Sequence, residues 1–282
     1  MTVPILQMAA VHFSPRKVVY LDALGLLPLY EGLAFRAPTV VCGPKGVAKT
    51  LSLQHFAYQV KSPIITFDCS EDIRRAHLIG MHIPRGDEAP FVLGPITNAF
   101  EIANEEGRCI LCLEELNSLS PQSQKLLNAA SDWRQRLEVP EAQRVFELQP
   151  GKQLWVTGTM NDSAYGGVYA LNEDLKSRFR VVSVDYPTPK AEKRIIQKVL
   201  RNSVRDQVVT QVLTLAHETR QGAFDYALST RDVVQILEDV AAMDLPRALR
   251  VAIGKFEGAD QDTVKERVNS LFGVSLKEGN GG

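Results

Sequence analysis

The sequence has almost no net charge: 32 Lys or Arg stand against 33 Asp or Glu in 282 residues, a formal charge of −1. That balance excludes the broad basic surface of a protein bound along nucleic acid, so a nucleic-acid partner is not expected. Neither half hides a bias, because from Pro187 onward 14 basic residues meet 13 acidic ones. Long apolar runs are also lacking. None approaches the roughly 20 residues that a membrane-spanning helix needs. Met1-Thr2-Val3-Pro4 lacks the basic and apolar regions of a signal peptide, so a cytoplasmic location is expected. Cysteine is scarce, at four. Cys109 and Cys112 lie in an apolar run that reads as a strand, and residues three apart on a strand point to opposite faces. They cannot share a metal ion or a disulfide, and read as buried thiols in a reducing compartment.

What is present is an ordinary globular composition, 45% apolar, enough for one large core or a core with a satellite domain. A helix is expected around residues 18–27. Apolar, β-branched runs then alternate with helical stretches at residues 39–42, 64–67, 110–113, 154–157 and 181–184. This is the α/β pattern of a parallel sheet covered on both faces. Two stretches interrupt it, residues 78–93 around Arg85-Gly86-Asp87 and residues 136–149 around Pro140-Glu141-Ala142, and each reads as a hairpin. After Pro187-Thr188-Pro189 the strands stop. Helices are expected at about 190–202, 206–218, 230–243, 246–254 and 262–272. The expected domains are 1–186 and a helical 187–277, with a polar, Gly-rich tail at 278–282.

Gly43-Pro44-Lys45-Gly46-Val47-Ala48-Lys49-Thr50 follows a strand candidate and opens a helix candidate at Leu51, the context of a phosphate-binding loop. Its backbone N–H groups and the helix N-terminus would cradle the phosphates of ATP. Lys49 would reach the β- and γ-phosphates, and the Thr50 hydroxyl would ligate Mg²⁺. Ala48 stands where the strict pattern has Gly, which is tolerable if its φ stays negative. The strand at 110–113 ends in Glu114-Glu115, at the sheet edge where ligands of open α/β sheets collect. Alternation along the strand assigns them different roles: Glu114 to the Mg²⁺ shell, Glu115 to deprotonating the attacking water. The strand at 154–157 leads to Asn161, whose amide can hold that water or the γ-phosphate.

These motifs, with Leu175-Lys176-Ser177-Arg178-Phe179 and Ser229-Thr230-Arg231, resemble the AAA+ ATPases. Within them the sequence is most similar to the MoxR group, which includes the CbbQ, NirQ and GvpN types. Ala48-Lys49-Thr50, Phe91-Val92-Leu93-Gly94-Pro95-Ile96 and Glu115-Leu116-Asn117 carry that likeness, and the resemblance covers roughly residues 30–270. It implies an α/β AAA+ P-loop domain, its parallel sheet flanked by helices, with two hairpin insertions and a small all-α C-terminal lid. It also implies that Arg178 reaches the nucleotide of a neighbouring subunit, with Arg180 the rival for that task, and that Arg231 is the second sensor of the lid. The position of Arg231 follows from local physics too, since Ser229 and Asp232 form a capping-box-like helix start.

The resemblance further implies hairpins flanking a central pore, with Met81, His82, Arg85 and residues 133–136 (Trp133 among them) as exposed tips touching a substrate or partner. His82 is otherwise read as a hairpin residue without special chemistry. Lys45 stands where the family favours proline; an added cation beside the phosphates and a solvent-facing side chain both remain open. The implied working form is a homo-oligomeric, hexameric ring that hydrolyses ATP to remodel a protein client, often beside a von Willebrand factor A domain partner. A nucleic-acid motor and an ATP-binding scaffold with weak hydrolysis are the alternatives.

Overall fold

The computed structural model describes residues 5–6, 15–161, 169–201, 203–221 and 224–274, so the expected tail lies outside the described residues. The chain divides into two compact units, Met1–Gly43 with Lys49–Val184, and Pro44–Ala48 with Asp185–Gly282.

The first unit begins with β1 (Ile5–Leu6), α1 (Leu26–Leu33), β2 (Thr39–Cys42), α2 (Lys49–Gln59) and β3 (Ile64–Asp68). It continues through α3 (Arg75–Ile79), β4 (Gly80–His82), β5 (Phe91–Leu93), α4 (Pro95–Glu106) and β6 (Arg108–Glu114). Then come α5 (Pro121–Gln124), α6 (Leu127–Ser131), β7 (Arg136–Val139), β8 (Arg144–Glu147), β9 (Gln153–Met160), α7 (Glu173–Arg178) and β10 (Arg180–Ser183). The main sheet has the order β10-β2-β9-β6-β3, and every pair in it is parallel. Parallel strands need helical crossovers, which cover both faces and explain the near-continuous apolar runs. Alternation sorts the side chains accordingly. Cys109, Leu111 and Leu113 enter one core, while Ile110 and Cys112 enter the other. Cys109 and Cys112 therefore lie on opposite faces, as expected, and burial pushes both thiols well up. In the second core Trp155 meets Tyr30 and Phe56 edge-on at 5.7 Å each, and its indole N–H donates to the Ala37 carbonyl at 3.0 Å.

Both interruptions are hairpins. β4 pairs antiparallel with β5, and β7 with β8 around a turn at Pro140–Ala142. Two expectations fail. The helix expected at 18–27 begins only at Leu26. Pro28 has no N–H and fits only a first turn, and the Asp22 carboxylate takes the N–H groups of Leu26 and Leu27 at 2.8 and 3.0 Å, which fixes the start there. Residues 133–136 are not a hairpin tip: Trp133 lies before β7, at the base, and the tip is the Pro140–Ala142 turn. His82 is a hairpin residue, at the end of β4. Its Nδ1 lies 2.7 Å from the Ala89 carbonyl and its Nε2 2.8 Å from the Glu141 carbonyl, so it bridges the two hairpins.

The second unit carries α8 (Pro189–Leu200), α9 (Asp206–Thr219), α10 (Thr230–Ala242), α11 (Leu245–Ile253) and α12 (Gly258–Phe272). Thr188 and Asp244 cap α8 and α11, each followed by a proline in the first turn, where the missing N–H costs nothing. Val212, Leu237, Leu249 and Val268 are fully enclosed at its centre. Glu192, equally enclosed, meets Arg220 in a two-pronged pair at 2.8 and 2.9 Å. The Arg220 guanidinium also lies 4.1 Å from the Tyr186 ring centre.

Candidate nucleotide site

The parallel register sets Cys42 beside Met160, Leu113 beside Gly158 and Asp68 beside Glu114, so the carboxyl ends of β2, β9, β6 and β3 share one edge. The loop leaves β2 there, and α2 starts at Lys49. The buried Lys49 ammonium donates to the Gly43 carbonyl at 2.8 Å and to Asn161 Oδ1 at 3.3 Å. At the next residue, the Thr50 hydroxyl donates to Glu114 Oε2 at 2.7 Å. Asn161 is 6% exposed. Its carbonyl accepts from Asn117 Nδ2 at 2.9 Å, tying β9 to the turn after β6. Lys49, Thr50, Glu114 and Asn161, spread over 112 positions, thus converge.

Two local expectations need correction. Ala48 has φ +65°, in the left-handed region, not a negative φ. The loop reverses at this residue to aim Lys49 and start α2, and the methyl group carries the strain that glycine would avoid. Glu115 does not alternate with Glu114 along a strand. β6 ends at Glu114, and Glu115 lies at φ +51°, ψ +44° with its N–H on the Thr159 hydroxyl at 3.3 Å. The two carboxylates diverge because the backbone turns, and Glu115 is exposed where Glu114 is half-buried.

Within the loop Pro44 and Val47 are buried, Lys45 is exposed, and Leu51 continues α2. Gly46 has φ +75°, and a Cβ there would fall 2.3 Å from Ser229 Oγ and 3.3 Å from Arg231 Cβ. Ser229 starts α10 by the expected capping box. Its hydroxyl donates to Asp232 Oδ2 at 2.6 Å and accepts the Asp232 N–H at 3.2 Å. Burial would raise the Asp232 pKa, but hydrogen bonds from Lys255 and Ser229 outweigh it and hold the carboxyl below its ordinary value. Arg231 is exposed in the first turn, and so beside the loop.

Arg178 ends α7. Its Nη1 contacts Asp132 Oδ2 at 3.3 Å, and its Nε is enclosed without a hydrogen-bond partner. Arg180 is exposed at the start of β10. Sequence reasoning missed Asp132 altogether and gave Asn117 no role. Neither carries a local signal, since Asp132 meets Arg178 across 46 positions and Asn117 meets Asn161 across 44.

The family model for the AAA domain, dynein-related subfamily, matches residues 38–179, about half of the chain, and the chain belongs to this family of AAA+ ATPases. It is similar to the uncharacterized protein SH1500 of Staphylococcus haemolyticus, 27% identical over 276 residues, spanning 93% of this chain and 98% of that one. A Staphylococcus aureus (strain NCTC 8325) protein, SAOUHSC_01413, is 28% identical over 264 residues, 89% of this chain and 94% of that one. Among solved structures, the FIGL-1 AAA domain in complex with ADP superposes with a TM-score of 0.52 at 14% identity, covering 93% of this chain and 87% of that one. A point mutant of Thermotoga maritima RuvB gives 0.51 at 16% identity, covering 89% and 69%. These likenesses establish the AAA+ fold: a five-stranded parallel sheet flanked by helices, followed by C-terminal helices. Among the described residues no helix is long and apolar enough to cross a membrane.

Proposed function

We propose that this chain hydrolyses ATP as a MoxR-like ring ATPase that remodels or activates a partner protein. The observation that carries the reading is the convergence of Lys49, Thr50, Glu114 and Asn161 at one sheet edge, with Thr50 and Glu114 2.7 Å apart. A hydroxyl and a carboxylate are hard oxygen donors suited to Mg²⁺. Thr50 and Glu114 would hold that ion, which would supply positive charge to offset the charge developing on the transferring phosphoryl group.

The chain's own residues supply the rest. Residues 43–48 wrap the phosphates with backbone N–H groups, and Lys49 exchanges the Gly43 carbonyl and Asn161 amide for phosphate oxygens. Glu115, exposed beyond the end of β6, takes the proton of the attacking water. Asn161, fixed through its carbonyl by Asn117, orients that water. Arg231 meets the nucleotide from the start of α10, and Arg178 acts on the nucleotide of the neighbouring copy, so turnover requires assembly. The segment 91–96 and Glu115-Leu116-Asn117 favour the MoxR group, whose members work in hexameric rings, often with a von Willebrand factor A domain protein. Residues 1–186 would form the nucleotide-binding domain and 187–277 the lid.

The test is steady-state ATP turnover with Mg²⁺ and with EDTA, alongside light scattering for assembly. Glu115→Gln should abolish turnover while ATP stays bound in an assembled ring; unchanged turnover in that variant would reject Glu115 as the base. Turnover should respond to a von Willebrand factor A domain protein more than to DNA, and strong stimulation by DNA would favour the motor reading.

A further inference from the structure

The pair formed by Arg178 carries an inference that rests on its proposed action in trans. The Asp132 carboxylate is fixed from one side: Oδ1 accepts both the Arg134 N–H at 3.0 Å and Arg134 Nε at 2.9 Å. That leaves Oδ2 for Arg178 Nη1 at 3.3 Å. Asp132 follows α6 as its C-cap, and its side chain is 12% exposed against 36% for Arg178 and 67% for Arg134. On the other side Phe179, 3% exposed, anchors the backbone just after Arg178. The guanidinium is therefore directed by one oriented oxygen, while its own Nε makes no hydrogen bond.

We propose that Asp132 is a positioning residue, held by Arg134, that sets the direction in which Arg178 meets the nucleotide of a neighbouring copy of this chain. A partly exposed ion pair adds little to stability. Selecting one rotamer of a long cation matters far more where that cation must meet charge developing on another subunit.

Asp132→Asn keeps the shape and removes the charge that orients Arg178. It should lower kcat about tenfold, with KM for ATP within about twofold, because the nucleotide grip is untouched. Arg134→Ala, which frees the carboxylate without removing it, should lower kcat less. The decisive readout is a mixture with excess Glu115→Gln chains, which are inactive themselves but carry an intact Asp132 and Arg178. Turnover per Asp132→Asn chain should then rise toward the parental value, since its own Glu115 is served by a neighbour's well-held arginine. A loss from misfolding would not be restored this way. Arg178→Ala in the same mixture is the control for the underlying reading. If Arg178→Ala is restored and Asp132→Asn is not, or if Asp132→Asn turns over like the parent, the role of Asp132 is overturned alone. If Arg178→Ala is not restored, action in trans fails and the inference falls with it.

Discussion

Ala48 is the departure from the phosphate-loop pattern whose cost can be worked out directly. Its φ of +65° lies in the left-handed region, where a Cβ crowds the following carbonyl at a cost of about 1–2 kcal/mol. Ala48→Gly removes that strain, but it also frees the unfolded chain, which returns about 0.5–1 kcal/mol. The net expectation is a gain of about 0.5–1 kcal/mol, or roughly 1–3 °C in the thermal midpoint for a chain of this size. Ala48→Val should move the other way, because a β-branched side chain tolerates a positive φ least. The left-handed turn is needed with or without phosphate, so the ATP Kd of Ala48→Gly should stay within about twofold of the parent. Differential scanning calorimetry with and without nucleotide, beside a binding titration, reads both quantities. A glycine variant that melts lower than the parent would show that the loop does not hold Ala48 in that conformation.

Removing Arg220 leaves the enclosed Glu192 carboxylate without its two-pronged partner, so Arg220→Ala should cost about 3–5 kcal/mol in denaturant unfolding. A loss below about 1 kcal/mol would mean that Glu192 reaches water. At His82, the hydrogen bonds to the Ala89 and Glu141 carbonyls raise the ring pKa above its ordinary 6.5. Both acceptors can be served only by the doubly protonated ring, so the bridge is complete at low pH and is lost as pH rises through the raised value. An NMR titration of the His82 ring with a midpoint at or below 6.5 would refute it. Trp133 is 89% exposed and Trp155 1%, so acrylamide should quench one fluorescence component strongly and the other weakly. Trp133→Phe should remove the quenchable component, and an unchanged quenching profile would contradict this placement.

The sheet was legible because its strands are buried on both faces, which demands the near-continuous apolar runs within Thr39–Cys42 and Arg108–Glu114. The hairpins showed through alternation on either side of a turn, and the C-terminal helices through the end of the strands at Pro187-Thr188-Pro189 and the capping box at Ser229 and Asp232. The first helix was misplaced because residues 18–27 satisfy an apolar pattern that backbone hydrogen bonding overrules. What decides its start is whether the first N–H groups find an acceptor, and Asp22 supplies it at Leu26.

In the site, spacing along the chain identified groups whose chemistry is local: the loop, the carboxylate pair and the capping box. It could not identify contacts made by convergence. The difference between Glu114 and Glu115 illustrates the limit. Strand alternation foresees two carboxylates facing apart, yet alternation continues only while the strand does, and β6 stops at Glu114. The divergence comes from a left-handed residue closed by a hydrogen bond to Thr159, 44 positions away. Asp132 is the stronger case. Nothing in Ser131-Asp132-Trp133-Arg134 distinguishes that carboxylate from a solvated charge until α7 brings Arg178 to its second oxygen. A residue whose task is to aim another has no motif of its own, so only three-dimensional placement can nominate it.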